Sequence, residues 1–202
     1  MSEAGIGRVI VASLHQAIGD VLPSRLDFYE NWLSAEGLRG GTIGQAQLSA
    51  VLSFLRREGD AYSIIMTQAG SYAADWTVDG LRRGARSSGG IAPAWLRRRR
   101  ILRLGAQLVR DGWVRSRATV RRGRGAARLV ITHSVFCDVR EPSPTPLCEF
   151  YAAAVTRLFE RFALPAHVEI ESCRGTGGTE CTLTIAVSAA AEEPAPSEVR
   201  LS

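Results

Sequence analysis

Four cysteines, Cys137, Cys148, Cys173 and Cys181, are the residues of this 202-residue chain best suited to chemistry. Thiolates bind zinc tetrahedrally, so three or four of them brought together make a structural site. Cys173 and Cys181 flank a seven-residue Gly-rich turn, in the run CRGTGGTEC, that can bring their sulfurs together, and Cys148 opens a helical pattern. A tetrahedral site wants a fourth ligand. If His167 to Cys173 is a strand, residues of like parity share a face, which sets Glu169 and Glu171 beside Cys173 and makes Glu171, the nearer, the first choice. Cys137 lies near the end of a strand, outside this pattern, and reads as core. No CxxC pair is present, so buried free thiols are the competing reading, unpaired Cys behaving as a small apolar residue. The start MSEAGIGR lacks a charged segment followed by an apolar one, which favours a cytoplasmic, reducing location over a disulfide framework.

The elements that must position these thiols follow from periodicity. Residues 1 to 43 read as two short helices and a Gly-rich loop, an N-terminal extension to a single domain spanning 1 to 188. Helical spacing recurs over Gln45 to Arg57 and Ile64 to Leu81. Trp95, Leu96, Ile101, Leu102, Leu104, Leu108 and Val109 then form an apolar stripe ringed by arginines, a basic amphipathic helix. The period changes to two from Trp113 to Val120, and the turn Arg121 to Gly125 leads into Leu129 to Ile131, a hairpin. After the Pro-rich link Glu141 to Pro146, apolar residues from Phe150 to Phe162 mark a helix, and His167 to Cys173 with Cys181 to Val187 make a second hairpin. Hairpin, helix, hairpin suits an α+β architecture, an antiparallel sheet covered on one face by helices. The Ala- and Pro-rich segment 189 to 202 reads as a disordered tail.

All 25 basic residues are Arg. Between Arg82 and Arg128 there are 15 Arg against the single acid Asp111, a local charge of +14; the remaining 10 Arg and 19 acids give −9, for +5 overall. No recognition motif for nucleic acid accompanies the basic stretch, so no nucleic-acid partner is expected, whereas a basic amphipathic helix suits peripheral contact with anionic lipid. A solvated surface is the plain alternative. No run of apolar residues is long enough to span a bilayer. No strand followed by GxGxxG opens a helix, which leaves no nucleotide-binding motif.

The run from Pro146 through Val187, with Pro-x-Cys at the helix start and CRGTGGTEC in the hairpin, resembles the C-terminal part of the vinyl-4-reductase domain. LRREG at Leu55 to Gly59, QAGSYAADW at Gln68 to Trp76 and the Arg-rich helix are similar to its bacteriochlorophyll-biosynthesis branch. The resemblance implies a trafficking-complex-like fold, a homodimer, and a structural zinc on Cys148, Cys173 and Cys181 beside a ligand pocket. The family's glutamate falls where this chain has Ile170, and Glu171 keeps about the usual distance from Cys148. It further implies binding of a porphyrin or chlorophyllide intermediate, in photosynthetic pigment synthesis, to assist vinyl reduction or hand-over to enzymes of the pathway. The alternatives are the vinyl reductase itself and a sensor of aromatic or hydrocarbon ligands. Tyr72, Trp76, Trp95 and Trp113 are candidate pocket-lining residues, and His133 is preferred over His15 and His167 as an axial ligand to a chelated metal.

Overall fold

The computed structural model describes residues 5–33, 42–81, 93–123 and 126–187. The tail expected at 189 to 202 lies outside them. Strand β1 (Ile6–Gly7) pairs antiparallel with β2 (Thr42–Ile43) and precedes helix α1 (Arg8–Val21). Helices α2 (Leu26–Leu33), α3 (Gln45–Leu55), α4 (Asp60–Asp79) and α5 (Ala94–Gly112) lead to the hairpin β3 (Arg117–Arg122) and β4 (Ala126–Thr132). Helix α6 (Glu149–Arg161) then separates that hairpin from β5 (Ala166–Ser172) and β6 (Cys181–Val187). The four long strands form one antiparallel sheet in the order β3-β4-β6-β5, so the second hairpin docks through β6 against β4. This is the α+β arrangement expected.

Sheet and helices meet along one face. Ala127, Leu129 and Ile131 of β4 stand opposite Ile185, Leu183 and Cys181 of β6, and all six are buried. Alternation with period two explains this set, and α5 and α6 close over it. Gly105 of α5 lies against Val155 and Leu158 of α6 and Leu129 of β4, where a side chain would be tight. Helix α4 packs on the far side of α6 at still closer range. A Cβ on Gly70 would collide with the Phe150 carbonyl oxygen and come within 3.0 Å of the Ala154 nitrogen. Helix α1 covers α4 in turn, burying Ile10, Leu14 and Ile18 in the same continuous core. Strand β1 is tied in as well, because Ile6 bridges Trp113 ahead of the sheet.

Part of the basic segment fastens the fold. Arg97 donates to the Phe162 and Ala163 carbonyls, Arg100 lies over the Phe162 ring, and Arg115 lies over Trp113. Arg99, Arg103, Arg121 and Arg122 remain exposed. Among the described residues no helix is long and apolar enough to cross a membrane.

A charged clasp joins α4 to α6: Asp75 accepts from Arg157 at 3.0 Å and from Arg161 at 2.7 Å, and Arg161 also reaches Asp79 at 2.8 Å. Partial burial opposes ionisation of Asp75, but the hydrogen bonds and charges of Arg157 and Arg161 outweigh it and hold the carboxyl below its usual 3.8. A depressed carboxyl contributes stability that is complete above the unfolded value and lost as pH falls through the folded one. Asp75→Asn should therefore cost about 1 kcal/mol at neutral pH and flatten the acid limb of a stability-against-pH curve measured by denaturant titration. Gly70→Ala should cost about 1–3 kcal/mol by overpacking. Gly19→Ala, in α1 with only Leu26 at 3.6 Å, should stabilise by about 0.5–1 kcal/mol, and the two changes compared by thermal unfolding check the close approach at Gly70.

Candidate metal centre

The four cysteines converge although they come from four different segments. Cys137 ends a single 3-10 turn, Val135–Cys137, just after β4. Cys148 is the N-cap of α6, Cys173 follows β5, and Cys181 opens β6. All four are buried, and their sulfurs lie within 4.8 Å of one another. Cys137 Sγ is 3.2 Å from Cys148 Sγ and 3.5 Å from those of Cys173 and Cys181; Cys148 and Cys173 are 3.3 Å apart. Four sulfurs at ~2.3 Å from a central zinc stand about 3.8 Å apart at tetrahedral angles, so the cluster is near that size.

Local chemistry builds the cradle. Gly177 sits at φ +95, which an L side chain rarely adopts, and lets the chain reverse between Cys173 and Cys181. Gly175 leaves room for Leu147, whose Cδ1 a Cβ there would meet at 2.8 Å. The Pro-rich link is pinned to the same turn by Ser143, whose amide donates to the Gly175 carbonyl at 2.7 Å. Two backbone amides point at sulfur: Leu147 N–H donates to Cys173 Sγ at 3.3 Å and Arg174 N–H to Cys181 Sγ at 3.4 Å. Such donors, with the positive end of α6 at Cys148, favour thiolate over thiol. Hydrogen bonds from Cys137, then Cys148 and Cys181, pull the Cys173 thiol down, whereas the Cys137 contact foremost pushes Cys148 up. The four cannot all ionise beside one another without a cation to share. Phe136, Phe150 and Tyr151, with ring centroids 4.6–5.4 Å apart, pack against this corner and keep it dry.

Glu171 is not at this centre. It lies on the exposed face of the sheet, held by Arg128 Nε at 2.8 Å and Nη2 at 3.0 Å and by the Thr184 hydroxyl at 2.7 Å. The Thr184 hydrogen bond and Arg128 keep its carboxyl below the usual range. Glu169 stands opposite Thr184, on the same outward face. The physical reason is a bulge: Ile170 pairs with Leu183 and Ser172 with Thr182, leaving Glu171 as an extra residue. Parity inverts there, so Cys173 turns to the core although Glu169 and Glu171 do not. Cys137 occupies the corner of the cluster instead. The available signal was the count, since a fourth Cys joined to Cys148 by a short Pro-rich link can return to the same corner.

The candidate pocket residues are dispersed. Tyr72 stacks on Trp76 and donates to Asp20 at 2.6 Å on the outer side of α4, where Trp76 is 38% exposed. Trp95, 63% exposed, lies at the far start of α5, and of these four only Trp113 is buried. His133 is exposed at φ 56, His167 is exposed, and His15 Nε2 is bound to Glu30 at 2.9 Å. No histidine among the described residues therefore faces the interior, and the residues present do not fit a histidine-held tetrapyrrole.

No family model matches this chain, and no curated relative is found. Solved structures do match. A mutant Fe(II) unliganded H-NOX protein from K. algicida superposes with TM-score 0.59 at 14% identity, covering 91% of this chain and 97% of that one. An H-NOX protein from S. oneidensis in its Fe(II)NO ligation state gives TM-score 0.59 at 11% identity, over 91% and 99%. The phenol-responsive sensory domain of the transcription activator PoxR, solved with phenol, gives 0.48 at 17%, over 76% and 83%. The chain thus has an α+β fold like that of H-NOX proteins. The resemblance to the vinyl-4-reductase domain is corrected by these matches, and the assignment to bacteriochlorophyll biosynthesis, with its porphyrin or chlorophyllide intermediate, falls with it. These matches support the α+β class and an H-NOX-like description and do not confirm the trafficking-complex label.

The two candidate ligand sets separate cleanly by metal analysis of purified protein. Cys137→Ala should lower bound zinc at least tenfold under mild chelation, while Glu171→Gln should leave it unchanged; the reverse pattern would restore the carboxylate to the site.

Proposed function

We propose that this chain is a small-molecule sensory domain whose sheet and helix α6 are fastened together by a structural zinc on Cys137, Cys148, Cys173 and Cys181. The observation that carries the reading is the convergence of four buried sulfurs at near-tetrahedral size. A closed four-thiolate shell leaves no open position, so the zinc would supply cohesion rather than catalysis.

Support for a ligand comes from the neighbouring interior. Trp113 Nε1 and Ser134 Oγ are buried and lack hydrogen-bond partners, and Tyr151 Oη, buried beside the Ser116 hydroxyl, makes no hydrogen bond of good geometry. They lie on adjoining segments: the Ser116 amide donates to the Trp113 carbonyl, the Ser116 hydroxyl donates to the carbonyl of His133 beside Ser134, and the Tyr151 hydroxyl lies 3.9 Å from where a Cβ on Gly112 would stand. A buried polar group without a partner costs about 1–3 kcal/mol, which a polar ligand would return. The rings of Phe136, Phe150, Tyr151 and Trp113 suit an aromatic body, so the ligand class is a small aromatic bearing a hydroxyl. Burial pushes the Tyr151 phenol up, so it stays a protonated donor at neutral pH. The H-NOX-like fold supports the reading in that the S. oneidensis protein of this fold was solved in a ligated state, Fe(II)NO. The lack of an inward histidine separates this chain from a histidine-held tetrapyrrole.

Titration with phenol should quench tryptophan fluorescence and raise the melting temperature, and Tyr151→Phe should weaken binding about five- to tenfold. Wild-type protein that shows neither change with phenol or cresols would reject the sensory reading and leave the metal centre to be judged on its own analysis.

A further inference from the structure

A second polar site stands beside the metal centre and shares no residue with the interior just described. A groove of about 1070 Å³ runs between the end of α3, the start of α4 and the loop 138–147 that joins Cys137 to Cys148. At its inner end are two groups with unmet hydrogen-bonding capacity. The Tyr62 hydroxyl makes no hydrogen bond of good geometry although the residue is only 7% exposed, its polar neighbour being the Arg56 guanidinium, and Arg56 Nε is buried and without an acceptor. Arg56 is held in place by its Nη2, which donates to the Phe136 carbonyl at 2.9 Å. Its guanidinium is the positive charge facing Tyr62, and the acidic groups around the same phenol are Cys137 and Glu149. Burial keeps the Tyr62 phenol protonated, so both inner groups are donors.

The rim differs from the floor. Arg57, Asp60, Arg140 and Glu141 line it, and Asp138 is engaged by Gln45 Nε2 at 2.7 Å. Mixed charge at the rim selects no sign, whereas a cation and a phenol donor at the floor select an acceptor that carries negative charge. A planar carboxylate matches a guanidinium edge and a neighbouring hydroxyl better than a neutral amide does, because hydrogen bonds to a charged acceptor are about twice as strong.

We infer that the groove between α3, α4 and the loop 138–147 is a binding site for a small organic carboxylate, whose acid group is held by Arg56 and the Tyr62 hydroxyl. The site is independent of the aromatic-ligand reading, since it shares none of Trp113, Ser134 or Tyr151. It is also adjacent to the thiol cluster, because the loop forming its outer wall runs directly between two of the cysteines.

Calorimetric titration of the whole protein with acetate and benzoate, and with benzamide as the neutral counterpart, tests the site. Benzoate should bind saturably and benzamide at least tenfold more weakly. Tyr62→Phe should weaken benzoate about tenfold, and Tyr151→Phe should leave it unchanged. Tyr62→Phe should also raise the melting temperature of the ligand-free protein, since it removes a buried hydroxyl that makes no hydrogen bond of good geometry; this readout is independent of whether Arg56 variants fold. Absence of saturable binding by either carboxylate, equal affinity for benzoate and benzamide, or an unaltered benzoate affinity in Tyr62→Phe would each overturn the proposal.

Discussion

Four sulfur atoms have to meet where no helix or strand passes through continuously, and the second half of the molecule is arranged around that requirement. Each sulfur arrives at the end of an element: the turn after β4, the first residue before α6, the exit of β5 and the entry of β6. Ends carry unsatisfied amides, and here two of them are spent on sulfur. The sheet order β3-β4-β6-β5 is what makes the meeting geometrically available, because β6 lies between the strand that leads to Cys137 and the strand that leads to Cys173.

The helical layers serve the same corner from behind. Gly70 lets α4 approach the first turn of α6 so closely that the Phe150 carbonyl lies where a side chain would begin, and the Asp75 clasp fixes the other end of that contact. Helix α6 is therefore held along its length, and Cys148 at its start is placed by packing several residues away from any sulfur. The arginine-rich character of α5 also looks different once placed: Arg97 and Arg100 hold the end of α6 at Phe162 and Ala163.

What could be read from the chain alone was the set of regular elements, because apolar spacing reports directly on which face is buried. The helix at Phe150 to Phe162 and the two hairpins fall close to where periodicity put them. What could not be read was phase. The parity argument that led to Glu171 is sound for an uninterrupted strand and fails at a bulge of one residue, which no composition or period signals. Cys137 reads as core in the sequence for a related reason: its position depends on a non-repeating turn, and irregular backbone has no pattern to extrapolate. The aromatic residues illustrate a third limit, since Trp76 and Trp95 sit on helical faces whose neighbours were not known until the helices were stacked. Family-level likeness of the run from Pro146 to Val187 was also a poor guide to the whole, whereas the path of the backbone over 91% of the chain carried the fold.

The spacing of the cysteines has a consequence in chain entropy. Successive sulfurs close rings of 11, 25 and 8 residues, all between 137 and 181. Rings this short are inexpensive to close, and the cost rises only slowly with length. A cross-link through the sulfurs, which the proposed zinc would supply, therefore restrains the unfolded chain over less than a quarter of its length and leaves everything before Cys137, β3 and β4 included, unrestrained. Helices α1 to α5 hold by side-chain burial and by the Asp75 clasp between α4 and α6, so two kinds of cohesion would meet at α6: the ring-closed segment 137–181, which contains α6 and β5, and the helical stack packed upon it.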